Sequence, residues 1–326
     1  MKKQWMALAF AALLLAGFQA KSCLAAKRAV KENKGPAILL VTFGASVESA
    51  QVAFRTIEQR VRAAFPKAEV RWAYTSKIIR KKLAKNGIQI DSPEIALARL
   101  MDDGYTKVAS LHMIPGFEFY ELYDNARLFS QMAEGFNKVE VGWSLLISDA
   151  NMDKVLKEIL TRMGAQGTEG GEAVVLMGHG TRHPSDAIYS AMMYKAQKTD
   201  PNVFVGTVEG SPLFEEIKER LVQKKIKKAY FIPFMTVAGE HAMNDMAGDE
   251  PDSRKSQLAK AGIESIPVMN CLAEYDAIAD MWVEQLKATM PICNNGKQWR
   301  RRRSRLPCSS APPSRMARRI VSSSSR

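Results

Sequence analysis

Apolar runs and amphipathic stretches alternate along this chain, and that alternation constrains the fold more strongly than any other feature. Runs rich in Val, Ile and Leu predict strands that are buried on both faces. In the first half these strands are residues 37–43, 70–74, 107–111 and 139–143. Between them, apolar side chains recur every three or four residues, which predicts helices at residues 48–65, 93–101 and 119–134. Strands joined by helices pair in parallel, so the sequence predicts an α/β fold.

The same alternation begins again after the glycine-rich segment 164–171. The predicted strands of the second half are residues 173–177, 203–207, 229–233 and 265–268. Its predicted helices are residues 186–198, 213–224 and 274–290. The second half is therefore expected to form a parallel sheet of its own.

The two halves also resemble each other in sequence, because residues 38–44 parallel residues 174–180. We expect two pseudo-duplicated halves, 36–148 and 149–290, with a cleft between them. Each half should contain a four-stranded parallel sheet flanked by helices. Ligands of such sheets bind beyond the carboxyl ends of the strands, so residues that follow strands are the first candidates for function.

The two ends of the chain differ in composition from the part between them. Residues 1–25 combine Lys2 and Lys3 with an apolar run and small residues, which is typical of a signal peptide and predicts a periplasmic protein. The apolar run, 5–18, is shorter than the roughly 20 residues that span a bilayer, so no stable membrane insertion is expected. Residues 294–326 are rich in Arg, Ser and Pro and predict a basic, disordered tail.

The net charge of +13 belongs to these ends rather than to the folded part. Ten of the 47 Lys and Arg residues lie in the tail and three in the first 25 residues, which leaves 34 against 34 acidic residues. A nucleic-acid partner is not expected, since binding would need basic groups clustered within the fold.

All four histidines follow predicted strands. His179 stands between two glycines, where the backbone can turn tightly and a ligand can approach closely. Glu209 and His241 follow the next two strands of the same half. Two imidazoles and a carboxylate from three strand ends predict an open site for a divalent metal such as cobalt, nickel, zinc or iron.

The other two histidines have open assignments. His183 is expected to support the site from a second shell or to be structural, with a fourth metal ligand or a proton acceptor as the alternatives. His112 is either a plain rim histidine or an axial ligand to a bound macrocycle such as a haem-type tetrapyrrole.

Several stretches resemble the anaerobic-type, single-subunit (class II) sirohydrochlorin cobaltochelatases, whose two α/β halves are ferrochelatase-like. The resemblance covers residues 36–290. Its most specific stretches are residues 41–44, 75–80, 110–112, 177–180, 208–209 and 237–246. The resemblance implies a metal chelatase, a lyase, in which His179, Glu209 and His241 bind the metal and both histidines are catalytic.

The same resemblance implies the substrates. They are sirohydrochlorin, a tetrapyrrole with eight carboxylates, and cobalt(II), with iron(II) as the alternative metal. Arg80, Lys81 and Arg182 are candidate partners for the carboxylates, and Glu118 is a further candidate in the substrate site. The chain has no glycine-rich phosphate loop, in agreement with insertion that needs no ATP.

Two other functions and one question of assembly stay open. An exported copy could serve as a periplasmic carrier of a metal or of a tetrapyrrole such as haem, keeping the cleft without turnover. A histidine-type phosphoryl-transfer enzyme is disfavoured because Gly178 stands where such enzymes need an Arg. A homo-oligomer is also compatible with the sequence.

Overall fold

A computed structural model describes residues 37–103, 107–132, 136, 139–164, 170–237, 239 and 241–291. A few side chains within these ranges are not described, and His241 is among them. The predicted signal peptide, 1–25, and the predicted basic tail, 294–326, lie outside the described residues. No helix within the described ranges is long and apolar enough to cross a membrane.

The first half forms a sheet with strand order β2-β1-β3-β4-β9. Its strands are β1 (Ala37–Thr42), β2 (Glu69–Tyr74), β3 (Lys107–Ser110), β4 (Glu140–Val141) and β9 (Met290–Pro291). The first four strands pair in parallel as predicted, whereas β9 pairs antiparallel with β4. The prediction of four strands therefore missed β9, because two residues are too few to show any periodicity.

The second half forms a four-stranded, all-parallel sheet with order β6-β5-β7-β8. Its strands are β5 (Glu172–Gly178), β6 (Val203–Thr207), β7 (Lys228–Pro233) and β8 (Glu264–Pro267). The order matches β2-β1-β3-β4 of the first half strand for strand, which confirms the predicted pseudo-duplication. In each half the strand order reverses between the first and third strands, which are β1 and β3 in one sheet and β5 and β7 in the other. Sheets of this kind bind ligands beyond the carboxyl ends of the strands at that point.

Nine α-helices connect the described strands. They are α1 (Glu48–Ala64), α2 (Lys77–Lys85), α3 (Pro93–Asp103), α4 (Phe117–Gln131), α5 (Asp149–Met163), α6 (Ala187–Thr199), α7 (Phe214–Gln223), α8 (Arg254–Lys260) and α9 (Asp276–Lys287). The six predicted helices are present with ends shifted by a few residues, while α2, α5 and α8 were not predicted.

Strand β1 shows how the sheet is buried on both sides. Leu39 and Val41 pack with α3 and α4 on one face. Ile38 and Leu40 face the other way and join α1 in a cluster that continues into β5 and α9. The apolar core on this face is therefore shared by the two sheets, and it fixes one half against the other.

The end of the described chain returns to the first half. The α9 residue Trp282 is buried in the shared core, and Arg60 of α1 forms ion pairs with Asp276 and Asp280 of α9. Gln285 donates to the carbonyls of Ser144 and Leu145 at 3.1 and 3.2 Å. The predicted division of the chain at 148/149 stays a prediction. The last helix, α9, packs in the core that both halves share, and the last strand, β9, pairs with β4 of the first half.

Candidate functional site

His179 directly follows β5 and is partly buried at the carboxyl edge of the second sheet. Its Nδ1 lies 3.0 Å from the carbonyl oxygen of Gly180. A carbonyl only accepts hydrogen bonds, so this contact requires the hydrogen on Nδ1 and puts the lone pair of the neutral ring on Nε2. The local backbone thus selects the tautomer that can donate an electron pair through Nε2.

The glycines on either side of His179 are required by close contacts. A Cβ on Gly178 would collide with the ring of Tyr189, which packs beneath the strand end. Gly180 has φ +85°, and a Cβ there would collide with the backbone nitrogen of Gly210. The glycines therefore let the loop after β5 pack directly on α6 and on the loop after β6.

The buried ring of Tyr189 packs against Gly178 at the start of this loop. Burial raises its pKa to about 12, although a hydrogen bond with the backbone of Gly180 opposes the shift. The phenol therefore stays neutral at physiological pH and acts as a fixed, uncharged support.

Glu209 lies in the loop after β6, and hydrogen bonds join that loop to the His179 loop. The N–H of Glu209 donates to the carbonyl of His179 at 2.9 Å, and the N–H of Val208 donates to the carbonyl of Gly178 at 3.1 Å. Thr207 shapes the turn, because its hydroxyl donates to the carbonyl of Pro212 at 2.9 Å and accepts from the N–H of Gly210 at 3.1 Å. The backbone of Glu209 is thus held against that of His179, and the Glu209 side chain is exposed.

His241 begins a π-helical turn, His241–Met246, that follows β7. The end of β7 is adjacent to the end of β5, since Pro233 is in register with Met177 and Phe234 donates to the Met177 carbonyl at 2.7 Å. Among the described side chains, no group of three or more His, Cys, Asp or Glu is arranged to hold a metal ion. The side chain of His241 is outside that set, so the predicted triad stays a prediction.

His183 lies where the two halves meet. Its Nδ1 accepts from the N–H of Ser185 at 3.1 Å, which caps the short turn before α6. Its ring stands edge-on to Phe117 of α4, with 4.8 Å between ring centroids, and lies 5.5 Å from the ring of Tyr120. His183 therefore joins the His179 loop to the first half, while Arg182 beside it is exposed.

His112 follows β3 and faces a carboxylate. Its Nε2 lies 3.1 Å from Oε2 of Glu118, and its side chain is only 11% exposed. A macrocycle metal bound at Nε2 would have to displace Glu118. The role of His112 as a haem ligand stays a prediction, and this contact opposes it.

A cavity of about 250 Å³ lies at the carboxyl end of β2 and brings Arg80 and Glu118 together. Thr75, Glu94 and Glu121 also line it. The Thr75 hydroxyl and the Arg80 Nε are buried there without a hydrogen-bond partner among the described atoms. Lys81, the third candidate from this segment, is exposed and does not line the cavity.

Residues 36–291 match the model of the cobalt chelatase (CbiK) family, and this match decides the family of the chain. The chain belongs to the cobalt chelatase (CbiK) family. The sirohydrochlorin cobaltochelatase CbiKC of Nitratidesulfovibrio vulgaris is 38% identical over 255 residues, which are 78% of this chain and 90% of that protein. The sirohydrochlorin cobaltochelatase of Salmonella typhimurium is 34% identical over 256 residues, 77% of this chain and 94% of that one.

A solved structure agrees with the fold. SirB from Bacillus subtilis with Fe³⁺ aligns with a TM-score of 0.54 at 13% identity, covering 81% of this chain and 97% of that chain. Membership of the cobalt chelatase family confirms the predicted enzyme class, a metal chelatase, and the predicted extent of the resemblance. The roles of individual residues stay predictions.

Three residues that shape this chelatase's candidate metal edge were not predicted. Tyr189 supports the His179 loop, Thr207 shapes the Glu209 loop, and Asp186 accepts hydrogen bonds from both loops. Tyr189 has an ordinary place in the apolar pattern of α6, and the hydrogen bond from the N–H of Ser211 to Asp186 joins residues that are 25 positions apart. Neither fact is visible in a linear pattern.

Proposed function

We propose that this protein inserts cobalt(II) into sirohydrochlorin without ATP, with iron(II) as the alternative metal. Support comes from the family match and from the two relatives, both of which are named sirohydrochlorin cobaltochelatases. Both substrates are taken up at the carboxyl edges of the two sheets, where the halves face each other.

The proposed metal site consists of His179, Glu209 and His241. His179 would bind through Nε2, since its Nδ1 hydrogen is directed to the Gly180 carbonyl. Glu209 supplies an exposed carboxylate beside it, and His241 comes from the adjacent strand end. Two nitrogens and one oxygen suit cobalt(II), and three protein ligands leave positions open for exchange with the macrocycle.

Insertion also requires a proton acceptor, because two pyrrole N–H protons must leave as the metal enters. In this proposal His179 or His241 takes one proton once it has released the metal, since a neutral imidazole can act as a base near pH 7, and the second proton passes to solvent water. The protein then needs no redox chemistry, and its own task is to hold the metal and the ring in register.

The substrate carboxylates need cationic or neutral donors. Arg80 and Thr75 both line one cavity, and each has a buried donor without a hydrogen-bond partner among the described atoms. The guanidinium of Arg80 is the candidate partner for a substrate carboxylate. The exposed Arg182, beside the metal loop, is a second candidate. Glu118 lines the Arg80 cavity but is directed to His112, so its part in substrate binding is indirect.

The observation that carries the proposal is the hydrogen bond from the N–H of Glu209 to the carbonyl of His179, 2.9 Å. It holds two of the three proposed ligands on neighbouring loops at one edge of a sheet. This backbone contact supports the proposal that both side chains belong to one site.

The test is an absorbance time course with protein lacking residues 1–25, sirohydrochlorin and cobalt(II), without ATP. The expected result is a protein-dependent change to the metallated spectrum that is faster than the spontaneous reaction. Tight binding of sirohydrochlorin with no acceleration would contradict the proposal and favour the carrier of metal or haem.

The location is a separate part of the proposal. The charged start and the apolar run of residues 1–25 support export to the periplasm. Cell fractionation and mass spectrometry should find the protein outside the cytoplasm and lacking about the first 25 residues. A full-length protein in the cytoplasmic fraction would contradict it.

A further inference from the structure

Asp186 connects the two loops that carry His179 and Glu209. Its Oδ1 accepts from the N–H of Thr181 at 2.9 Å, and its Oδ2 accepts from the N–H of Ser211 at 2.7 Å. Thr181 follows His179 by two residues, and Ser211 follows Glu209 by two. One carboxylate therefore holds both loops at equivalent points beyond the proposed ligands.

Asp186 and the two loops are closely packed. A Cβ on Gly210 would collide with the Asp186 carboxylate, and a Cβ on Gly180 would collide with the Gly210 nitrogen. The backbones of the two loops are thus in direct contact, with the carboxylate against one of them. A shift of either loop changes its separation from the other.

Asp186 is the last residue of the short turn Pro184–Asp186, which leads into α6 and is capped by the side chain of His183. Asp186 itself has helical φ and ψ, −53° and −31°, and its side chain makes no capping hydrogen bond to α6. Both of its oxygens are instead directed to the site loops.

We propose that Asp186 is a positioning residue for the metal site, which sets the separation of the His179 and Glu209 ligands by clamping their loops. The inference rests on the proposed function, because it takes these two side chains as metal ligands. Metal–ligand distances must be held within about 0.2 Å, so a small change in loop separation is enough to weaken binding. Groups that orient ligands without touching the metal typically contribute about 10- to 100-fold to metal affinity or activity.

Two substitutions of different severity test the clamp. Asp186→Ala removes both acceptors, whereas Asp186→Asn keeps one carbonyl oxygen and puts an NH₂ group against the other N–H donor. Asp200→Ala is the matched control, since its Oδ1 also accepts a backbone N–H, that of Asn202, at 2.7 Å. Asp200 precedes β6 and therefore lies at the opposite edge of the same sheet.

The readouts are cobalt(II) affinity and the visible absorption spectrum of bound cobalt(II), both measured without tetrapyrrole. We expect Asp186→Ala to weaken cobalt binding by about 10- to 100-fold and to alter the spectrum. Asp186→Asn should give a smaller loss of the same kind, and Asp200→Ala should bind cobalt like the parent protein. Thermal unfolding of each variant controls for a general loss of structure.

Parent-like affinity and spectrum in Asp186→Ala would overturn the inference. If that variant does not fold, Asp186→Asn decides, and parent-like cobalt binding in it would have the same meaning. Failure of the proposed function is distinguishable: the parent protein would bind cobalt but not accelerate its insertion. The comparison of cobalt affinities would then still decide the role of Asp186.

Discussion

At the scale of single residues, His241 is the proposed ligand whose removal is most informative. It lies in the turn that follows β7, and β7 is the neighbour of β5, the strand that positions His179. The proposed His241 ligand therefore comes from a different segment of the chain than His179. We expect His241→Ala to lower kcat/KM for cobalt insertion by at least about 100-fold, since even groups that only orient ligands cost 10- to 100-fold. Steady-state rates would be measured on protein whose circular dichroism matches the parent. Unchanged turnover would remove His241 from the mechanism.

The candidate site residues could be selected from the sequence, but the contacts that support their loops could not. Residue type and position after a strand were enough to select His179 and Glu209. The bonds of Asp186 and the placement of Tyr189 under Gly178 depend on which loops the fold brings together. Long-range contacts of this kind have no periodic signal, so they could not be predicted.

Tyr189 gives a pH dependence of stability. Its pKa is raised from 10.0 to about 12 by burial, so between these values an unfolded chain loses the phenolic proton while the folded protein keeps it. The stability due to this group is complete below pH 10 and is lost as the pH rises towards 12. The free energy of unfolding should fall by on the order of 1 kcal/mol per pH unit in that window because of Tyr189.

Urea unfolding at several pH values would measure this slope. Tyr189→Phe should show a shallower decline than the parent above pH 10. Tyr194→Phe removes an exposed phenol from the same helix and is the matched control. Equal slopes in the parent and Tyr189→Phe would show that Tyr189 does not cause the decline.

At the scale of elements, the loop after β5 depends on a glycine for two separate reasons. Gly180 has positive φ, and it also touches the backbone of Gly210. Gly262, before β8, has φ +72° but open space around its Cα. Substitution with Ala should cost about 1–2 kcal/mol of stability at Gly262 because of the left-handed conformation, and more than that at Gly180, where the backbone must also move to admit the Cβ.

Only Gly180→Ala should also affect catalysis, since its Cβ pushes apart the two loops that carry the proposed ligands His179 and Glu209. We expect insertion to fall by about tenfold or more in Gly180→Ala and to stay near the parent rate in Gly262→Ala. Thermal unfolding and insertion rates would be compared for the pair. Similar activity in both variants would show that the loop contact does not matter for turnover.

The elements were predictable where the pattern was long. β5 and α1 were found with ends shifted by at most one residue, because each carries a strong buried run or an apolar stripe. The short basic helix α2 has no buried run or apolar stripe of comparable strength, and it was not predicted. Helix α5 has recognisable boundary signals, with Ser148 capping its start and Gly164 ending it, but the apolar pattern alone did not predict this helix.

At the scale of the whole molecule, the two halves share one core. Ile38 and Leu40 of the first sheet belong to the same apolar cluster as Val174 and Leu176 of the second, and Trp282 of α9 is only 2% exposed within it. Trp282→Ala should therefore cost about 3–5 kcal/mol and lower the stability of both halves together.

This prediction can be measured by urea unfolding of the variant in a Trp299→Phe background, without residues 1–25. Fluorescence then reports Trp72 and Trp143, both in the first half, and far-ultraviolet circular dichroism reports both halves. The two transitions should coincide at a lower midpoint than in the parent. Separate transitions would mean that the halves unfold independently.

The antiparallel strand β9 has a practical consequence. Strand β1 starts at the amino edge of the first sheet, and β9 runs back towards the same edge, where Pro291 pairs with Glu140 at the start of β4. Three strand spacings, about 14 Å, separate the two points at which the described chain begins and ends. The loops that carry the proposed metal ligands lie at the carboxyl edges. A bead, an electrode or a fused reporter attached at either point would therefore lie at the amino edge of the first sheet, away from the edges at which both substrates are proposed to bind.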